Sequence, residues 1–312
     1  MVPLDNHRVP PPGGTPAQDD HRAGTAGQTE DKGGGPCRHR DRAPSSSILV
    51  TDRAVAHRAL VQHSAGFLDR PRGAVVSSIL TRHRHWNVVS APYGPYWRAA
   101  RRNMVAGVLL PARVRRRSDA RARALSGLVR ALRAGDPIGE SLHLAVFRLQ
   151  AELCFGEEVV SSLGEARIRA MKQIQRDIQL ALPSFRVLVS SGVTVKFLID
   201  DIGRDPAVWS DPMAFIPERF MPGGEGEAAD LTCTRDLKMM PFGAGRRICP
   251  GIALAILYVE YFVANMVREF EWREVDGQEV DLAESPGFLF TTMKHPLRGC
   301  LVPRDAEAVL VN

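Results

Sequence analysis

The chain has 312 residues, of which 44% are apolar, enough for a sizeable hydrophobic core in one or two domains. This composition excludes a wholly disordered or collagen-like protein. The formal net charge is +6, from 41 basic and 35 acidic side chains. The five cysteines are odd in number and widely spaced, which argues against a disulfide framework, so reduced thiols are expected.

The first segment, residues 1–46, contains seven prolines, seven glycines and no aromatic residue. Such a sequence cannot bury enough apolar surface to offset the conformational entropy that is lost on ordering. We therefore predict a disordered tail over 1–46.

The second segment, residues 47–185, is predicted to be mainly helical. A short β-type run at 47–51 precedes Asp52, whose side chain is suited to cap a helix that continues to Val61. From Trp97 to Val108, apolar residues recur at helical spacing beside arginines, which indicates an amphipathic helix. Further helices are predicted over 113–132, 138–154 and 165–182.

The third segment, residues 186–312, begins where the hydrophobic period changes. Residues 186–199 are β-rich in composition and are interrupted at Gly192. A glycine-rich turn over 242–251 leads into a helix predicted at 252–270, and short strands are predicted over 275–303. The whole pattern predicts a mainly α fold with small β elements.

The most distinctive sequence is Pro-Phe-Gly-Ala-Gly-Arg-Arg-Ile-Cys-Pro-Gly at 241–251. Cys249 precedes a helix, whose dipole and free backbone N–H groups favour a thiolate. Gly243 and Gly245 can adopt backbone angles that other residues avoid, and the two arginines add positive potential that suits a carboxylate. One thiolate without a second cysteine or histidine nearby is a poor zinc site but a good single axial ligand.

This sequence matches each fixed position of the haem-binding signature of the cytochrome P450 family. The matching residues are Phe242, Gly245, Arg247, Cys249 and Gly251. Residues 91–103 resemble the C-helix of that family, residues 203–209 resemble the segment before its Pro-Glu-Arg-Phe element, and residues 215–220 resemble that element itself. The sequences of these segments are similar to those of the plant microsomal branch of the family.

The resemblance implies an incomplete cytochrome P450 fold with haem b as its cofactor. Cys249 is then the axial ligand of the haem iron, while Phe242 packs near the ligand loop and Arg247 reaches a haem propionate. Trp97 and Arg101 are implied to make further propionate contacts. Residues four apart share a helix face, so these two side chains can approach one ligand together.

The implied activity is haem-thiolate monooxygenation, which inserts one atom of O2 into a small apolar organic substrate. The implied electron donor is NADPH-cytochrome P450 reductase, which takes its electrons from NADPH. Family members are anchored in the endoplasmic reticulum membrane. Neither a signal-peptide core near Met1 nor an apolar stretch of membrane-spanning length is evident in this sequence, so a cytosolic or peripheral location is expected.

Basic residues concentrate between Arg98 and Arg133, where eleven arginines accompany a single acidic residue, Asp119. Three interpretations stay open: a solvated face of two helices, a docking surface for an acidic electron-donor protein, and a nucleic-acid surface. No aromatic residues interleave to stack bases and no DNA-binding motif occurs, so nucleic acid is not an expected partner.

Two motifs of the family do not occur in this sequence. One is Glu-x-x-Arg, the usual partner of the arginine at the position of Arg219. The other is the Ala/Gly-Gly-x-Asp/Glu-Thr helix, whose acid and hydroxyl pass protons to oxygen, so no catalytic acid or hydroxyl residue is identified. The alternative functions are therefore a catalytically inactive haem-binding or non-binding fragment, and a basic interaction protein.

Overall fold

The computed structural model describes residues 37–40, 47–70, 87–89, 91–181, 194–275, 280–286 and 291–304. The chain separates into two units, Met1–Gly35 and Pro36–Asn312, and the described residues all belong to the second unit. In this part the protein is mainly helical with short strands, which confirms the predicted fold class. Most of the predicted tail and the β-rich residues 186–193 lie outside the described residues.

A three-stranded sheet contains β1 (Cys37–Arg40), β2 (Ser47–Val50) and β3 (Thr194–Phe197) in that order. β1 runs antiparallel to β2, whereas β3 runs parallel to it. β1 lies within the segment predicted to be disordered, and that prediction is wrong for these residues. Their polar sequence carries no strand signal, but β2 offers unpaired backbone groups at its edge, and pairing with that edge orders them.

The first helix follows β2 directly. Asp52 caps α1 (Arg53–His57), as predicted, because its side chain accepts a hydrogen bond from the backbone N–H of Val55 at 2.7 Å. A π-helical turn, Arg58–Gln62, continues α1. The other helices of the described residues are α2 (Pro95–Met104), α3 (Pro111–Arg115), α4 (Ser118–Arg133), α5 (Ile138–Phe155), α6 (Glu157–Ala181), α7 (Ile199–Gly203) and α8 (Ile252–Glu269).

One predicted helix is divided in the structure, and another follows a short helical segment that the sequence did not predict. The helix predicted over 113–132 is divided into α3 and α4, because Arg117 leaves the helical region with φ −95 and ψ 32. The Arg117 side chain instead donates to the carbonyl oxygen of Glu152 at 3.0 Å. The helix predicted over 165–182 corresponds to the part of α6 after Gly164, whose φ of +73 and ψ of 162 interrupt the helix, and residues 157–163 form an additional helical segment before it. Glycine tolerates that conformation, so the apolar periodicity restarts after the kink.

The main hydrophobic core joins α4, α5 and α8 to a two-stranded antiparallel sheet of β4 (Phe270–Arg273) and β7 (Cys300–Pro303). A separate antiparallel pair contains β5 (Glu284–Pro286) and β6 (Thr291–Met293). No helix in the described ranges combines the length and the apolar character needed to cross a membrane.

A second core lies beside the cysteine loop. It brings together residues from β2, α1, α7 and the chain before the loop, which are Val50, Ala56, Ile202, Cys233, Leu237, Met240 and Ala244. Because Ala244 lies within the glycine-rich turn, its burial in this core attaches the turn to α1.

Candidate functional site

The cysteine segment forms a tight loop that ends at α8. The backbone N–H of Cys249 donates to the carbonyl oxygen of Phe242 at 2.9 Å, which closes the loop. A 3-10 turn, Gly245–Arg247, lies between them. Gly243 and Gly245 have φ values of +73 and +67, and this confirms the prediction that both positions use backbone angles that other residues avoid.

Glycine is also required at position 245 because two parts of the chain approach each other closely there. A Cβ atom at this position would lie 1.9 Å from the carbonyl oxygen of Leu60, in the π-helical turn after α1. A Cβ atom at Gly243 would meet nothing within 4 Å. Gly245 is therefore constrained by both its backbone angle and its packing, whereas Gly243 is constrained by its backbone angle.

The Cys249 side chain is exposed, and its Sγ accepts a hydrogen bond from the backbone N–H of Gly251 at 3.4 Å. Gly251 is the N-cap residue of α8. Since the N-terminus of a helix stabilises a nearby negative charge, the loop presents a sulfur in a position suited to a thiolate. The sequence placed Cys249 at the start of this helix, and the structure confirms that placement.

Trp97 lies at the point where α2 meets the cysteine loop. Its ring is 4% exposed, and the guanidinium carbons of Arg247 and Arg101 lie 4.4 and 5.4 Å from the ring centroid. Its Nε1 donates to the carbonyl oxygen of Val88 at 2.9 Å. The structure thus brings together three of the residues that the sequence singled out, and it confirms that Trp97 and Arg101 share a helix face.

Arg101 connects α2 to the residue that precedes the cysteine. Its Nη2 donates to the carbonyl oxygen of Ile248 at 2.6 Å. Burial lowers the pKa of Arg101, and the nearby Cys249 acts in the opposite direction. An arginine nevertheless stays cationic at neutral pH, so α2 holds a positive charge beside the sulfur. Arg102, the next residue, is exposed.

Arg247 makes hydrogen bonds to backbone carbonyl groups before α2. Its Nε donates to Leu68 and its Nη2 to Ala91, both at 2.8 Å, and its Nη1 to Val88 at 3.5 Å. Three of its five N–H groups are therefore engaged within the chain. The described hydrogen bonds of Arg101 engage one N–H group, which leaves Arg101 with more donors for an anionic ligand than Arg247 has.

Part of the basic segment is neutralised inside the protein. Arg123 forms ion pairs with Glu152 and Glu157 at 3.0 and 2.9 Å, and Arg133 forms one with Glu269 at 3.6 Å. Other arginines of the segment are exposed and have no ion pair among the described residues; these are Arg98, Arg102, Arg113, Arg115, Arg116 and Arg130. The open interpretations of a solvated or partner-binding surface therefore concern this smaller set.

Sequence reasoning missed the partners that order the site. The carbonyl groups of Leu60, Leu68 and Ile248 could not be found, because a backbone carbonyl leaves no signal in a sequence. The usual partner motif of Arg219, Glu-x-x-Arg, does not occur in the sequence. Arg219 instead forms an ion pair with Glu225 at 3.2 Å and donates to backbone carbonyl groups. A nearby acid in the following loop thus neutralises this arginine.

The groups around Cys249 fit a haem. Within the described ranges there is no cluster of three or more His, Cys, Asp or Glu side chains that could hold a metal ion, and Cys249 offers one exposed sulfur. A single thiolate is sufficient for an iron that a macrocycle also holds. Arg101 and Arg247 supply the positive charge that the carboxylates of such a group require.

We predict that Gly245→Ala lowers the free energy of unfolding more than Gly243→Ala. The second change introduces only an unfavourable positive φ, which costs about 1–2 kcal/mol. The first adds a collision with the Leu60 carbonyl and should cost about 3 kcal/mol or more. Urea unfolding of both variants measures the difference, and equal losses would contradict the described contact.

Comparisons with known proteins find similarity to one family. The family model described as cytochrome P450 matches residues 185–298. Cytochrome P450 89A9 of Arabidopsis thaliana is 52% identical over 111 residues, which are 36% of this chain and 22% of that protein. Flavonoid 3'-monooxygenase of the same organism is 41% identical over 102 residues, which are 32% of this chain and 20% of that protein. This chain therefore matches about a fifth of the length of these curated relatives.

Solved structures share the fold over a larger part of the chain. A zebra fish cytochrome P450 with progesterone has a TM-score of 0.60 and 16% identity, with 86% of this chain and 96% of that chain covered. Another zebra fish cytochrome P450 structure, with abiraterone, has a TM-score of 0.61 and 16% identity. Residues 185–298 thus match the cytochrome P450 family, with plant proteins among the similar sequences, and the fold of the chain is that of cytochrome P450 structures.

Proposed function

We propose that this chain binds haem b through Cys249, and that the reaction of this site is monooxygenation of a small apolar organic substrate. The observation that carries the proposal is the exposed Cys249 sulfur at the N-terminus of α8, beside Arg101. The match of residues 185–298 to the cytochrome P450 family supports haem as the cofactor and monooxygenation as the general chemistry. The substrate class and the electron donor are parts of this proposal, whereas productive turnover by this chain on its own is not.

When bound, haem supplies the redox-active iron that oxygen chemistry requires. Cys249 would hold that iron through its sulfur. The Gly251 N–H orients the sulfur and stabilises its negative charge, and the loop closed on Phe242 restricts its movement. Arg101 holds the carbonyl group of Ile248, so that α2 keeps the ligand loop in place.

The propionate contacts are divided between two arginines in this proposal. Arg101 has donors left after its bond to Ile248, and it would bind a propionate directly. Arg247 mainly attaches the loop to the chain before α2. Its remaining N–H groups would make a propionate contact in addition to the one from Arg101. Trp97 separates this region from water, because its ring is buried beside both guanidinium groups.

NADPH-cytochrome P450 reductase is the proposed electron donor. The exposed arginines defined above lie on or beside α2, α3 and α4, and Arg101 of α2 reaches the chain next to Cys249. An acidic partner would be steered toward such a surface. This interpretation is preferred to a merely solvated face because the same helix that carries exposed Arg98 and Arg102 also contacts the ligand loop.

The first prediction concerns the ligand. We expect Cys249→Ala to abolish the haem-thiolate signal in the reduced carbon monoxide difference spectrum, because no other described cysteine follows a glycine-arginine loop. Cys154→Ala is the matched control, since Cys154 is also exposed, and it should retain the signal. Loss of the signal in the control, with its circular dichroism unchanged, would overturn the assignment of Cys249.

The second prediction concerns haem retention. Arg101→Ala should release haem about tenfold faster than the unaltered chain, since it removes a charged donor beside the ligand loop. Arg102→Ala, which removes an exposed neighbour, should change the rate by less than about twofold. Transfer of haem to an apo-globin acceptor measures both rates, and equal effects would argue against a propionate contact at Arg101.

The third prediction separates the proposed monooxygenase from a haem-binding fragment without productive turnover. The sequence lacks the acid and hydroxyl pattern that delivers protons to oxygen. For this chain on its own, that absence favours a haem-binding fragment without productive turnover. We therefore expect NADPH consumption with a plant reductase to yield peroxide rather than hydroxylated product. A panel of fatty-acid, terpenoid and phenolic substrates tests this; product equal to most of the NADPH consumed would establish a competent monooxygenase.

A further inference from the structure

A nearly buried arginine lies in the 3-10 turn Pro217–Phe220. The Arg219 side chain is 9% exposed, and its Nη1 lies 3.2 Å from Oε1 of Glu225. Its other described hydrogen bonds go to backbone carbonyl oxygens. Among the described residues, Glu225 is the one carboxylate that pairs with Arg219, so it supplies the negative charge that this cation needs.

The Glu225 carboxylate is also held from a second direction. Its Oε2 accepts hydrogen bonds from the backbone N–H and the hydroxyl group of Ser210, at 3.0 and 2.9 Å. The backbone hydrogen bond from Ser210 is the largest cause that lowers the pKa of Glu225, and the positive charges of Arg219 and Lys238 act in the same direction. The side chain is therefore a carboxylate at neutral pH, and both of its oxygens are engaged.

The backbone of Glu225 makes a third contact, toward the cysteine loop. Lys238 Nζ donates to the Glu225 carbonyl oxygen at 2.6 Å. On either side of Lys238, Leu237 and Met240 are buried in the second core. Three residues separate Lys238 from Phe242, so a displacement of Lys238 is passed to the start of the loop with little slack.

Phe242 carries this connection to the sulfur-bearing residue. Its carbonyl oxygen accepts the hydrogen bond from the Cys249 N–H that closes the loop. Arg247 and Gly245 attach the middle of the loop to other parts of the chain, as described above. The contacts of Glu225 instead act on the chain that enters the loop, so they form a separate attachment.

We propose that Glu225 is a positioning residue for the haem ligand, acting through Lys238 on the cysteine loop. The inference rests on the proposed function, because the ligand that is positioned is Cys249. The side chain of Glu225 binds Arg219 and Ser210, while its backbone binds Lys238. Loss of the carboxylate leaves a nearly buried cation without its paired charge and frees the backbone that holds Lys238.

Amide hydrogen exchange of the full chain tests the attachment and requires no bound haem. Glu225→Ala should raise exchange over residues 237–249 about tenfold and leave α4 and α5 within about twofold, because the opening is local. Glu227→Ala is the matched control: Glu227 is exposed in the same loop, accepts from the Gly223 N–H and has no ion pair among the described residues. Equal exchange over 237–249 in both variants, or an equal rise along the whole chain, overturns the proposal.

A double variant tests the route of the effect. Lys238→Met removes the donor to the Glu225 carbonyl but leaves the pair with Arg219 intact. If Glu225 acts through Lys238, combining Lys238→Met with Glu225→Ala should raise exchange over 237–249 no further than the larger single change. Effects that multiply in the double variant overturn this route.

The effect on the ligand is measured after haem has been added. Glu225→Ala should release haem to apo-globin about fivefold faster and give a smaller haem-thiolate signal per bound haem, whereas Glu227→Ala should match the unaltered chain. Glu225→Gln keeps the shape of the side chain without its charge, so its signal should lie between those of the unaltered chain and Glu225→Ala. An unaltered chain without a haem-thiolate signal overturns the proposed function and this inference with it. A normal signal that persists unchanged in Glu225→Ala overturns the positioning role alone.

Discussion

Arg247 joins the cysteine loop to the chain before α2, and the geometry of the site depends on this connection. Hydrogen bonds from a charged group contribute about 1.5–3 kcal/mol each, and the guanidinium also lies 4.4 Å from the Trp97 ring centroid. A loop that contains three glycines, at 243, 245 and 251, has little conformational preference of its own. Its position is therefore determined by the partners of this one side chain and by its packing on α1.

The packing on α1 is equally demanding, because Gly245 meets the Leu60 carbonyl at a distance that admits no side chain. Ala244, the preceding residue, is buried in the second core. The loop is thus held on one side by hydrogen bonds and on the other by close packing. Cys249 lies beyond both attachments, which explains how an exposed sulfur can have a defined position.

Helix α8 links the ligand to the rest of the protein. Its N-cap residue, Gly251, donates to the Cys249 sulfur, while its inner face is part of the main core and its C-terminal end leads directly into β4. The core therefore determines where the sulfur lies.

The sequence by itself determined the mainly helical class, the helix over 138–154, the cap at Asp52 and the position of Cys249 at the start of a helix, because periodicity, capping and a cysteine loop are local properties. It failed for β1, whose order comes from pairing with β2, and for the break at Arg117, whose side chain binds Glu152. The partners of Arg247 and the need for glycine at 245 were decided only by the tertiary structure. Both depend on backbone carbonyl groups from distant parts of the chain, and the position of a carbonyl group in space is a property of the fold rather than of any residue type.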